Sequence, residues 1–452
     1  MLIILILFVA SECFAEKSNE SSNTWTETEA ENHISSVEKI STSDNDNSLE
    51  MISNRSHEQY LKKIGKLKLL FVYAIWRHGD RAPLRIYPTN PCNESFWPNG
   101  LGELTEIGVQ QLLELGKRFH EEYINCDPPL MSKNSYSRQI YIRSTGVNRT
   151  IRSAEAFLKG IFPSRISEKD SSGQVIQSSS SRSLNPIIPI HTTKLENDYI
   201  GNPFYRCLRA EHLEANGFRS TNFHNMTLRQ KHLLDHLSKM TGYENLQLDE
   251  RFNSILDTLI VERFHKFNET DWFTKKTEHE MRLLRTAILK YRFGTASYYG
   301  SNRELTRLRS GAILRSVFSV LREKWSCLND DSINCAWYNN LKFYGSSAHD
   351  MTLIALLILI APDEDIIDIY NPQYGATVIF ELYSYKKKPY IKVLYSKKHS
   401  EKPIAVTILT TGCPQFSHFC PLQKFIAANK PYIPQNLQQE CHQYENESRA
   451  ER

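Results

Sequence analysis

The chain has 452 residues, with 55 Lys and Arg against 51 Asp and Glu and a formal charge of +4. That length allows a large core or two packed subdomains, and so small a charge excess leaves no electrostatic footprint for nucleic acid. Charge is informative only locally, where arginines gather near a histidine.

The N-terminus, MLIILILFVASECFA, runs apolar from Leu2 to Ala10 and reaches a small residue at Ala15. This is the form of a secretory signal over 1–15, and the run is shorter than the ~20 apolar residues a membrane-spanning helix needs. Residues 16–65 are rich in Ser, Asn, Glu and Asp. Such a segment cannot bury enough surface to offset its ordering entropy, so a disordered leader is expected. No C-terminal membrane anchor is read, and 442–452 is expected to be a flexible tail.

Order is expected to begin at residue 66. KLKLLFVYAIW is a continuous apolar run, the sign of a strand buried on both faces, and it ends in RHGDRAP, where Gly79 and Pro83 force a loop. Leu104, Ile107, Leu112, Leu115, Phe119 and Tyr123 then recur at helical spacing behind Thr105, a natural N-cap. A second strand, QIYIRS, runs into the helical pattern RSTGVNRTIRSAEAFLKGIF, and Ser-rich residues 167–183 read as a surface loop. Residues of about 200–325 carry mainly helical patterns and predict a helical cap inserted in an α/β core. A third strand, LKFYGSS, leads to AHD and the apolar helix MTLIALLILI. ATVIFELYSY and YIKVLYS close the core as a hairpin turning at Lys386–Lys388. The expected fold is α/β, a central mixed, mostly parallel sheet flanked by helices, with a smaller, mainly helical cap.

Three strands therefore end in polar motifs: Arg77-His78, Arg143-Ser144-Thr145 and His349-Asp350. Ligands of open α/β sheets bind beyond the carboxyl ends of strands, so these residues are expected to converge. Arg77, Arg81 and Arg143 offer forked donors that match phosphate. An imidazole can attack phosphorus, and a protonated carboxyl can hand its proton to a leaving alkoxide. Glycine-rich phosphate loops, HExxH and CxxC are absent, so neither a cofactor nor a metal is expected.

RHGDRAP (77–83) with AHD (348–350) resembles the histidine acid phosphatase family, within the histidine phosphatase superfamily. FWPNGLGELTEIG, YIRSTGVNRTIRSAEAFL, YGSSAHDMTL, VIFELY and GCPQFSHFCPLQKF follow in that family's order, so the likeness covers about 66–441, taken as the catalytic domain. The resemblance implies that His78 is the nucleophile and Asp350 the general acid. It implies that Arg77, Arg81, Arg143 and His349 hold the phosphate. The implied activity is that of a secreted acid phosphatase acting on small phosphomonoesters or phosphoproteins, with the lysosomal lumen as the alternative location; homodimers are frequent in the family. Two other readings stand beside it: a narrower phosphatase for a lysophospholipid or inositol phosphate, and a catalytically weak binding protein on the same scaffold. The family's RSTDxDRT reads RSTGVNRT here, so Gly146 and Asn148 replace two acids.

Beyond Cys13 the chain has eight cysteines, an even number that suits disulfides in an exported protein. The resemblance pairs Cys207 with Cys441 and Cys413 with Cys420; another family pair is missing, since Thr377 stands at one of its positions. The remaining four allow three connectivities, of which Cys92–Cys126 and Cys327–Cys335 are favoured by proximity along the chain. Asn93, Asn148, Asn225 and Asn268 are the candidate glycan acceptors, with further sequons at Asn19, Asn54 and Asn446.

Overall fold

The computed structural model describes residues 67–131, 136–163, 187–267, 270–296, 301–362, 367–410, 412–415 and 417–442. The signal, the leader, the Ser-rich loop, most of the tail and the acceptors Asn19, Asn54, Asn268 and Asn446 lie outside them.

The centre is an eight-stranded mixed sheet in the order β3-β2-β4-β1-β5-β6-β7, with β8 on β6. Its strands are β1 (Leu67–Arg77), β2 (Ile140–Thr145), β3 (Ile190–Thr193), β4 (Phe343–Ala348), β5 (Thr377–Tyr385), β6 (Lys388–Ser396), β7 (Ile404–Ala405) and β8 (Cys420–Pro421). The half from β3 to β1 is parallel, and the half beyond β1 is antiparallel. The continuous apolar run of β1 serves two cores at once. Phe71, Tyr73 and Ile75 enter one cluster and Val72, Ala74 and Trp76 the other, as the two-residue period of a strand requires.

On one face lie α1 (Glu106–Tyr123) and α2 (Asn148–Ile161), whose Leu112, Leu115, Phe119, Ala154 and Phe157 meet Trp76 and Ile142. The two helices touch backbone to backbone: a Cβ on Gly116 would lie 2.2 Å from Phe157 O, and one on Gly160 2.1 Å from Leu113 O. Thr105 caps α1 by accepting from Gly108 N, as its position suggests, whereas Ile107 of the expected apolar stripe faces solvent. The β5–β6 hairpin turns at Lys386 and Lys387, both at positive φ, with Tyr385 opposite Lys388.

Helices α3 (Leu208–Arg219), α4 (Thr221–Arg229), α5 (Lys231–Thr241), α6 (Glu250–Phe264) and α7 (Lys275–Phe293) follow β3. Leu234, Leu237, Phe252, Ile255, Leu256, Met281 and Leu284 build a separate cluster among them. The last helix of the 200–325 stretch, α8 (Ala312–Ser326), instead packs with α9 (Asp350–Ile360) against the other sheet face, where Leu314, Val317 and Leu321 join Leu353 and Leu357. Apolar residues all round α9 suit a helix enclosed on every side.

Disulfides join Cys207 to Cys441, Cys327 to Cys335 and Cys413 to Cys420. The expected Cys92–Cys126 bond does not form. Cys126 follows the C-terminal end of α1, where its Sγ donates to Glu122 O. Cys92 is buried near Glu262 of α6, on the cap side of the molecule. An 18-residue helix spans about 27 Å, far more than the ~7 Å between Cα atoms that a disulfide tolerates. Closeness along the chain was a poor guide because α1 lies between the two cysteines.

Candidate active site

The strand register brings the motifs together. Arg77 pairs with Ala348 across β1 and β4, Ser144 pairs with Ser347 across β2 and β4, and His78 N donates to Ala348 O at 3.0 Å. His78, His349 and Thr145 thus stand at three adjacent strand ends. The loop after His78 is seated by another glycine pair, since a Cβ on Gly79 would lie 2.3 Å from Gly108 O and one on Gly108 2.2 Å from Asp80 O. The helix α1 entrance and the His78 loop can approach this closely only without side chains at these positions.

His78 is buried, and its Nδ1 lies 2.8 Å from Gly79 O. A carbonyl only accepts, so Nδ1 carries the proton and Nε2 keeps its lone pair. Burial, reinforced by Arg149 and Arg77, holds the ring well below the usual histidine range, hence neutral. The His349 ring stands 5.6 Å away edge-on, its Nε2 2.9 Å from Thr145 Oγ1. Burial and Arg149 lower it to about 3.

The arginines divide into two sets. Arg77 donates to Pro372 O at 2.7 Å and lies over the Tyr374 ring at 4.2 Å; that ring is 6.0 Å from His78. Arg81 holds both oxygens of Asp257 on α6, at 3.0 and 2.9 Å. Arg149, on the first turn of α2, is the cation that acts most on both histidines, and burial with Arg81 beside it lowers it to about 10. Arg77, Arg81 and Arg149 each keep a buried Nε without an acceptor. Burying such donors is costly unless a partner satisfies them, and positive charge converging beside His78 suits an anion.

Arg143 also offers such a donor, since its Nη1 is buried without an acceptor. Its Nη2 donates to buried Asp198 at 2.6 Å, and its field falls on Tyr73 and Tyr344. Of the two arginines in RSTGVNRT, the one inside β2 gives one arm of its fork to an internal ion pair, and the one that opens α2 is the cation that acts most on His78. Gly146 and Asn148 frame that turn. A Cβ on Gly146 would meet Thr193 O at 2.7 Å, and the exposed Asn148 Nδ2 reaches Glu103 Oε1 at 3.4 Å. Asn93 and Asn225 are also exposed.

Asp350 is the first residue of α9. Oδ1 accepts from Met351 N at 2.9 Å, and Oδ2 accepts from Arg285 Nη2 at 3.1 Å with Arg77 Nη2 at 4.0 Å. Burial pushes this carboxyl up, but Arg77, Arg285 and Arg81 together outweigh it and hold it below the ordinary range. Asp80, fully buried, accepts from Thr105 Oγ1 at 2.5 Å and from His265 Nε2, at the end of α6, at 2.8 Å, which ties the His78 loop to the cap. Sequence reasoning missed Arg285, Asp257, Asp198, Tyr374 and His265, which carry no motif and come from distant segments.

The chain is similar to known proteins over most of its length. Residues 68–396 match the family model of the histidine phosphatase superfamily, branch 2. Human prostatic acid phosphatase is 30% identical over 385 residues, 83% of this chain and 88% of the relative. Human lysosomal acid phosphatase is 31% identical over 381 residues, 82% and 80%. Among solved structures, a Citrobacter braakii phytase superposes with a TM-score of 0.56 at 17% identity, over 83% of this chain and 99% of that one. A Hafnia alvei phytase bound to tartrate gives 0.55 at 15%, over 83% and 98%. With an RHG loop and an HD turn on adjacent strand ends, and a match over most of its length, the chain belongs to the histidine phosphatase superfamily, branch 2.

Proposed function

We propose that the protein is a secreted or lumenal acid phosphatase that hydrolyses phosphate monoesters through a covalent phosphohistidine on His78. The observation that carries this is the neutral His78, its Nε2 lone pair free, among three arginines with unsatisfied buried donors. The named relatives are acid phosphatases, and the disulfides suit an oxidising compartment. Among the described residues no helix is long and apolar enough to cross a membrane.

Arg77, Arg81 and Arg149 grip the phosphoryl oxygens and follow their charge into the transition state. The Nε2 lone pair of His78 forms a bond to phosphorus as the ester P–O bond breaks, and the leaving oxygen takes its electron pair together with the proton of Asp350. Water then adds to phosphorus, its proton goes to the Asp350 carboxylate, and the P–N electron pair returns to Nε2. Inorganic phosphate leaves, and the enzyme regains its protonated acid. His349, fixed to Thr145, borders the pocket and orders the start of α9.

The test is hydrolysis of p-nitrophenyl phosphate from pH 3 to 8 without added metal, wild type beside His78→Ala. Acid-optimal turnover lost in the variant is the expected result. Silence from folded wild type, or undiminished turnover by His78→Ala, would refute the proposal.

A further inference from the structure

Arg285 lies on α7 of the cap, yet it touches the acid of the proposed reaction. Its Nη2 donates to Asp350 Oδ2 at 3.1 Å, and its Nη1 donates to Tyr370 O at 3.3 Å. Both arms of the fork are engaged, so its orientation is set by the acid and a backbone carbonyl. Arg77, Arg81 and Arg149 differ, each holding a buried Nε without an acceptor. We infer that Arg285 is a positioning residue for Asp350: through this bond the cap orients the acid and sets the upper pH limit of turnover for monoesters with poor leaving groups. This rests on the reading that Asp350 supplies the leaving-group proton.

The charges that face Asp350 come from four sides. Arg77 and Arg81 follow from β1, Arg149 comes from α2, His349 precedes Asp350 on α9, and Arg285 reaches in from α7, with Asp257 of α6 opposing the arginines. A bound phosphoryl group would offset the first three, whose free donors it satisfies. Arg285 keeps its hold on the carboxylate whether the pocket is full or empty, and a cation at hydrogen-bond distance favours ionised over protonated acid. Burial lowers the Arg285 guanidinium itself, which Asp350 in turn opposes. An alkoxide must be protonated as it leaves, whereas p-nitrophenolate departs without help, so only the former reaction should feel Arg285 through Asp350.

The experiment measures kcat against pH for Arg285→Gln and Arg285→Lys, with glycerol 2-phosphate and with p-nitrophenyl phosphate. For the glutamine variant on glycerol 2-phosphate, the basic limb should move upward by about 1 unit, about tenfold in relative rate on that limb. The lysine variant should restore the wild-type limb, and the aryl ester should show little movement. Arg285→Met, which keeps the apolar stem, is the second neutral variant. An unmoved limb, equal movement on both esters, equal movement by lysine and glutamine, or failure of both neutral variants to fold would each overturn the inference. An inactive wild type would instead fail the parent reading, so the two failures are distinct.

Discussion

The sharpest consequence of the site geometry concerns two arginines six residues apart. Arg149 should matter to catalysis alone, and Arg143 to folding as well. In Arg149→Met, the site loses a half-buried guanidinium whose buried Nε has no acceptor and whose charge acts first on His78. Removing one preorganised donor from a developing anion typically costs about 3–4 kcal/mol, so kcat/KM should fall by about 10²–10³-fold. The melting temperature should hold or rise, because like charges on Arg81 and Arg77 are relieved. In Arg143→Met, the Asp198 carboxylate, whose side chain is 1% exposed, is left without its cation. Breaking a buried pair in this way costs about 3–5 kcal/mol of stability, and kcat/KM should fall as well, because the buried Nη1 donor is lost with it. Steady-state kinetics and thermal unfolding on both variants decide the matter. An unchanged melting temperature in Arg143→Met, or a melting temperature in Arg149→Met that falls as far as that of Arg143→Met, would refute the division.

Two further outcomes follow from packing and burial. Gly79→Ala places a methyl group 2.3 Å from Gly108 O; the loop must shift by about 1 Å, and kcat/KM should fall by about 10²-fold, with stability loss of about 1–3 kcal/mol, both read by kinetics and thermal unfolding. At the other end of α1, burial, with Glu381 adding to it against Arg118, raises Glu122 from 4.5 to about 7. A carboxyl raised in the folded state stabilises the protein fully below its unfolded pKa and loses that contribution as pH rises through the folded one. Denaturant unfolding of wild type should therefore weaken between about pH 4.5 and 7, and Glu122→Gln should flatten that slope; an equal slope in both proteins would remove Glu122 from the account.

The strands, the main helices and the convergence of three strand ends were legible because each rests on local pattern: an apolar run, a helical period, a cap such as Thr105, a polar motif where a strand stops. What sequence left open was decided by direction. RSTGVNRT holds two arginines, and only the placement of the strand end between them assigns one to Asp198 and the other to His78. The partners on the cap were beyond reach for a different reason. Asp257 meets Arg81 across 176 residues and Arg285 meets Asp350 across 65, with no spacing rule to join them. Cys92 and Cys126 failed because chain distance ignores the helix that separates their ends.

The proposed mechanism needs a protonated Asp350, yet the arginines around it favour the carboxylate. Arg77, Arg285 and Arg81 overcome the burial that would protonate Asp350. These arginines favour its ionised form. A phosphoryl group seated on Arg77, Arg81 and Arg149 brings about two negative charges into the same space, offsets their pull and adds its own repulsion, and both effects raise the carboxyl toward protonation. On the proposed mechanism, substrate charge would thus be coupled to proton supply from Asp350. Arg285, bound to Asp350 and to Tyr370 O rather than to the phosphate, is the cation that this compensation does not reach. Its residual pull keeps the working range acidic.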